Sequence, residues 1–273
     1  MKIGVYLYGI AAVAYGITDL IWGEFDPSDQ PLQPWGDHIP GARIFAYIAA
    51  IWLVVAGAAL LRRQSRRLAA ASLTILYGMF VLFPLPRFYW GPHVHGQRAY
   101  VYFGVLGEVC QEIILFVAAV IVWKSLSGRD SLSQRAARLL RWTFGVCSID
   151  FGLAHLTAVW TLFPMIPKWL PFGGTFWAVL TGITFVLAGV AIIVGVLDVL
   201  AAGLLGLMLL VFSALALAPL IFSFPHAHWT WGANAYNLTA IGAAWIVAER
   251  LAMRQRPVSN DQPESLQVKP SPA

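Results

Sequence analysis

Charge is what this sequence has least of. Lysine, arginine, aspartate and glutamate together supply 11% of its 273 residues, against 59% apolar residues, whereas soluble domains carry roughly 25% charged residues. So few charges do not cover a water-facing surface of this size, which excludes a soluble globular protein and leaves a chain whose surface meets lipid. Cysteine is nearly absent. Cys110 and Cys147 lie inside apolar runs and no Cys-x-x-Cys occurs, so neither a redox dithiol nor a zinc ribbon is readable and both thiols read as packing residues. Nothing resembles a glycine-rich phosphate loop or a nucleophile constellation, which argues against a self-sufficient enzyme. The formal net charge of +5 is not the footprint of a nucleic-acid partner, because the basic residues cluster in short stretches between apolar runs.

What the chain does have is apolar length. A bilayer core of about 30 Å takes about 20 helical residues to cross. Residues 3–22, 42–61, 68–85, 99–123, 142–163 and 233–251 are runs of that kind. Residues 175–222 form a block too long for one crossing, with Asp198 marking its turn. The expected fold is an all-α membrane protein: eight transmembrane helices arranged as two pseudo-repeated four-helix bundles. The first unit spans 1–125 and the second 142–252, with a cytoplasmic linker at 126–141. The tail 253–273, rich in proline, serine and glutamine, reads as disordered. An even number of crossings puts both termini on one side. Of the 18 lysines and arginines, all but Arg43, Arg87, Arg98 and Lys168 fall on that side, so both termini are expected in the cytoplasm. Tryptophans such as Trp22, Trp90, Trp169 and Trp229 crowd the opposite side, as an interfacial belt would.

The halves share a pattern. Tyr8-Gly9-Ile10 and Tyr15-Gly16-Ile17, followed by Asp19, line up with Phe144-Gly145-Val146 and Phe151-Gly152-Leu153, followed by His155, at a constant offset of 136. Val54-Val55-Ala56-Gly57 matches Val186-Leu187-Ala188-Gly189, and Pro92-His93-Val94-His95 recurs as Pro225-His226-Ala227-His228. Four crossings per half would make this a parallel repeat about an axis along the membrane normal. Small residues on one helix face, Gly9, Ala12 and Gly16 in the first half and Gly145, Ser148 and Gly152 in the second, are what close approach inside lipid requires.

Residues 15–27 and the stretch Trp35-Gly36-Asp37-His38-Ile39-Pro40-Gly41, with the glycine-containing second helix of each half, resemble the DoxX-like membrane proteins. The resemblance extends over residues 1 to about 251, as two such four-helix units fused. It implies a multi-pass protein of the bacterial plasma membrane associated with redox systems. Relatives include a subunit of a thiosulfate:quinone oxidoreductase and a partner of superoxide-detoxifying and thiol enzymes. The role it implies is a non-catalytic subunit or anchor of a quinone-linked or oxidative-stress system, with a membrane or peripheral redox protein as partner.

The residues that carry chemistry are few. A carboxylate at the bilayer centre costs about 2.5–3.5 kcal/mol on insertion scales and so needs a partner or a use. Asp19, Glu108, Glu112, Asp150 and His155 fall within the apolar runs and are the intramembrane candidates for a proton or quinone-headgroup site. Glu108 and Glu112, one turn apart, are expected to face the bundle interior together, with His155 as their nearest base. In an extended outer loop, His93 with His95 and His226 with His228 would each turn two imidazoles to one side. Four neutral imidazoles suit a metal ion or haem, although interfacial hydrogen bonding is the plainer account of them. A transporter with a midplane site at Glu108, Glu112 and Asp150 is the competing reading, although no run carries the central Gly/Pro interruption of broken transporter helices. A structural membrane protein without chemistry is the third.

Overall fold

A computed structural model describes residues 3–26, 40–128 and 132–255. The described chain is helical: α1 (Ile3–Trp22), α2 (Ala42–Leu61), α3 (Arg66–Leu82), a short α4 (Arg87–His95), α5 (Ala99–Ser125), α6 (Gln134–Thr157), α7 (Gly173–Val194), α8 (Asp198–Phe212), a short α9 (Ala218–Ser223) and α10 (His228–Gln255). By length and composition, six segments suffice to cross a membrane: α1, α2, α3 continued through α4, α5, α7, and α8 continued through α9. The chain is therefore a multi-pass helical membrane protein. Helices α6 and α10 are as long, at 24 and 28 residues, but Arg135, Arg138 and Arg141 in the one and Glu249, Arg250 and Arg254 in the other make them more polar.

Neighbours along the chain are neighbours in space. Contacts run α1–α2–α3–α5–α6–α7–α8–α10, and α10 returns to α1. Helices α5 and α10 also touch each other, and within the first half the Tyr8 hydroxyl on α1 donates to the Leu115 carbonyl of α5 at 2.7 Å. The outer faces stay apolar. Val55 on α2 is 62% exposed and Leu187 on α7 64%, and Ile44, Ile48 and Ile51 or Leu180, Ile183 and Val190 continue the same stripes. Only lipid makes such stripes favourable.

The closest packing uses the repeated glycines. A Cβ at Gly9 would stand 3.1 Å from the Gly57 carbonyl oxygen, and one at Gly145 would stand 2.9 Å from that of Gly189. Gly16 lies against Ala50 and Val54, and Gly152 against Gly182 and Val186. These glycine contacts of α1 with α2 thus recur between α6 and α7 at the offsets of the sequence match. Without hydrophobic drive between helices in lipid, this backbone-to-backbone approach is what holds them.

Several boundaries differ from the sequence reading. The fifth long helix, α6, begins at Gln134 and ends at Thr157, rather than spanning 142–163, so half of the expected linker is helical. Ser133 starts it early by accepting a hydrogen bond from the Ala136 amide at 3.2 Å. Helix α10 runs on to Gln255, past the expected end at 252; residues 256–273, like the loop that holds Trp35 and His38, lie outside the described residues. The turn at Asp198 is where expected. Gly195 and Leu197 take positive φ there (85° and 54°), and Asp198 is bonded by its neighbour's amide and by Gln255 Nε2 at 2.8 Å. Arg141 approaches it at 3.7 Å.

The block 198–223 is interrupted past its middle, a break that the expectation of no central Gly/Pro interruption did not cover. Residues Ser213–Leu217 form a π-helical turn between α8 and α9. Pro219 has no N–H for the carbonyl four residues back and its ring clashes there, so the helix widens. Two asparagines of α10 collect carbonyls around the widened turn. Asn234 donates to Leu217 at 2.9 Å and Asn237 to Leu209 at 3.0 Å, with Ser213 Oγ also in contact with Asn237.

Candidate functional site

The five intramembrane candidates do not converge on one site. Glu108 on α5 forms an ion pair with Arg87 of α4 at 2.6 Å. Its nearest base is thus an arginine that the sequence reading left in an outer loop, not His155. Glu112, one turn on, is 2% exposed and sits beside Tyr8 and Tyr77 in the first half. The two glutamates therefore serve different surroundings although they share a helix. The pair of Glu108 with Arg87 is a third open on the glutamate side, so it stabilises by no more than about 1 kcal/mol.

Asp19 has a partner that the sequence did not offer. His228, the first residue of α10, places Nε2 3.2 Å from Asp19 Oδ1 and Nδ1 3.6 Å from Glu24 Oε1. Trp22 stacks flat on the imidazole with centroids 4.9 Å apart. Gly232 leaves the space that the Asp26 carboxylate fills. This knot ties the end of α1 to the start of α10.

The histidine pairs are split. His93 and His95 lie in the last turn of helix α4 rather than in an extended loop, both exposed, and His93 Nδ1 lies against the carbonyl of Tyr89. His226 is exposed and His228 is buried in the knot just described. Among the described residues, no group of three or more His, Cys, Asp or Glu is gathered to hold a metal ion. The helical α4 is the physical reason: alternate residues of a helix point about 200° apart, so i and i+2 diverge.

His155 meets a different environment at the position matching Asp19. Its Nδ1 lies 2.7 Å from the Phe151 carbonyl. A carbonyl only accepts, so Nδ1 carries the proton and neutral His155 offers Nε2 as an acceptor. His155 lines a cavity of about 280 Å³ bounded by α5, α6, α7, α8 and α10. It also lines a second cavity, of about 390 Å³, that reaches between α7 and α8. Leu162, Thr181, Met208 and Phe212 belong to both walls, so the two cavities adjoin, with His155 in the wall they share, and together they are called the chamber below. The first part holds nearly all the polar groups: Gln111, Ser148, His155, Thr181, Tyr236 and Asn237. The second is walled almost wholly by Leu, Ile, Val, Met, Phe and Trp177. The hydroxyls of Ser148 and Thr181 bond back to their own helices, and Asn237 is committed to the π-turn. Tyr236 has an interaction of its own within the protein, and His155 and Gln111 are left as the side chains best placed to receive a ligand.

Sequence reasoning singled out His155 but not its chamber, and passed over Thr181, Tyr236 and Asn237. Asn234 and Asn237, three residues apart in an apolar run, are the signal that was there to find.

The chain is thus a multi-pass helical membrane protein in which a cavity with polar side chains in its wall adjoins a largely apolar one. Comparison of the chain with family models, with curated proteins and with solved structures returns no match.

Proposed function

We propose that the chain is a DoxX-like protein of the bacterial plasma membrane that holds a quinone-type ligand in this chamber, as a non-catalytic subunit or anchor of a membrane redox system. The observation that carries this reading is the chamber's division. One histidine and one glutamine stand at its polar end, and the adjoining space is apolar enough for an alkyl or isoprenoid chain. Ligand sites in general combine apolar walls with a few placed polar groups. His155 Nε2 would accept a hydrogen bond from a hydroquinone hydroxyl. The Gln111 amide would donate to a quinone carbonyl.

Titration of a short-chain quinone into the full chain in lipid nanodiscs tests this. Saturable binding is expected. His155→Ala should weaken it about tenfold, the upper end of one hydrogen bond's contribution. Equal affinity in both proteins would refute the role of His155.

In the same reading the chain crosses the membrane eight times in two repeated units, with both termini cytoplasmic. Supporting it are the glycine contacts that recur at matching offsets and the bias of Lys and Arg. A periplasm-active reporter fused after Arg256 should be silent, and one at Gln97 active. The reverse pattern would overturn the topology.

A second reading, transport of a small solute, is favoured by the π-turn that interrupts the α8–α9 span beside the chamber, since broken helices mark transporter sites. It requires solute uptake into proteoliposomes, which the first reading does not.

A further inference from the structure

We propose that Cys110 and Cys147 form a thiol–disulfide couple across the α5–α6 seam, oxidised by a quinone in the adjoining chamber. The proposal rests on the quinone reading of that chamber.

Register places the pair. Helices α5 and α6 are consecutive, packed together and antiparallel. A Cβ on Gly107 would lie 3.5 Å from Asp150 Oδ2, so these two positions face each other. One turn forward on α5 leads from Gly107 to Cys110. One turn back on α6 leads from Asp150 to Cys147. In an antiparallel pair those steps reach the same layer, and the Cys110 thiol does have Cys147 and Asp150 as side-chain neighbours. Both cysteines are 2% exposed and both are free thiols.

Asp150 is the second observation. It is 3% exposed, and neither carboxylate oxygen meets a conventional N–H or O–H donor among the described residues. A buried carboxyl group without such a donor is costly to keep for packing alone. Its polar neighbour is a thiol, a weak donor, and a carboxylate beside a thiol is placed to take its proton.

The seam borders the chamber. Gln111 and Ser148, next in sequence to the two cysteines, line the polar end, as do Ile114 and Phe144. Oxidation breaks the S–H bonds of Cys110 and Cys147 and forms one S–S bond. The two electrons and two protons released convert the quinone to a hydroquinone. Asp150 accepts the Cys110 proton as the sulfur becomes nucleophilic and passes it on towards the chamber.

The test uses the full chain, reduced and placed in nanodiscs, with a fully substituted short-chain 1,4-benzoquinone, which offers no ring position for thiol addition. Samples are quenched in acid, unfolded, alkylated and weighed by mass spectrometry. The expected result is loss of both alkyl adducts on quinone treatment and their return after reduction. Cys110→Ser and Cys147→Ser should each keep their one remaining thiol alkylatable. Asp150→Asn should slow disulfide formation at least tenfold while reaching the same end point. Diamide serves as a general oxidant alongside. If diamide links the cysteines and the quinone binds but leaves them reduced, the redox step is wrong while the chamber reading stands. If neither oxidant links them, the pairing itself is wrong. If the quinone does not bind at all, the chamber reading fails, and this proposal falls with it.

Discussion

Gly152→Leu is expected to prevent the second half from folding. A Cβ at this position would stand 2.5 Å from the Gly182 carbonyl oxygen and 2.6 Å from Val186 Cγ2. The first of these is backbone and does not rotate away. Overpacking a core commonly costs about 1–3 kcal/mol, and more where no side chain yields; here α6 and α7 must separate along their length. A loss above about 3 kcal/mol is a large share of a typical domain's total stability. The measurement is the monodisperse yield in mild detergent and the thermal midpoint of what survives. Gly203→Ala is the control. No atom lies within 4 Å of a Cβ built there, so the change should be neutral or stabilising by up to about 1 kcal/mol through helix propensity. If Gly152→Leu melts within a few degrees of the parent, the α6–α7 contact is not what holds this half together. Gly16→Leu should do the same damage to α1 and α2, because the Ala50 carbonyl stands as close to it.

That prediction draws on what the sequence made legible. Helix positions followed from apolar length, and the Gly9 and Gly145 faces followed from small-residue spacing, since both are local properties of the chain. The turn at Asp198 was readable for the same reason. What stayed hidden depends on which helices meet. Nothing in the spacing of Asp19 points to His228, which is 209 residues away, and nothing about Glu108 points to an arginine on a separate short helix. The histidine pairs misled because both were placed in extended outer loops, whereas His93 and His95 end a nine-residue helix and His228 begins another. The fifth helix was placed too late because its arginines counted as linker. In fact they lie on a helix that continues below the apolar run. Cys110 and Cys147 were set aside for want of a Cys-x-x-Cys, yet antiparallel packing brings together residues that no local motif joins.

The chamber was the least legible feature, because an empty space leaves no residue signature, and it carries the other large expected effect. Thr181→Trp should abolish ligand binding without unfolding the protein. Thr181 lies on the walls of both parts of the chamber, where a large side chain would block the passage from His155 to the apolar arm. Its hydroxyl bonds only to the Trp177 and Ala178 carbonyls of its own helix, so its loss strands no partner elsewhere. Filling an apolar cavity generally leaves stability unchanged or raises it by about 0.5–2 kcal/mol. The thermal midpoint without ligand should therefore hold or rise, while affinity for a short-chain quinone falls at least about 100-fold, or about 2.8 kcal/mol at 1.4 kcal/mol per decade. His155→Ala, by contrast, removes one polar anchor and leaves the space, so its effect should be roughly ten times smaller. The order of the two variants separates the possibilities. If both abolish binding equally, the polar contact dominates and the apolar arm is incidental. If Thr181→Trp binds as tightly as the parent, the ligand does not occupy the chamber, and the site must be sought at the Asp19–His228 knot instead.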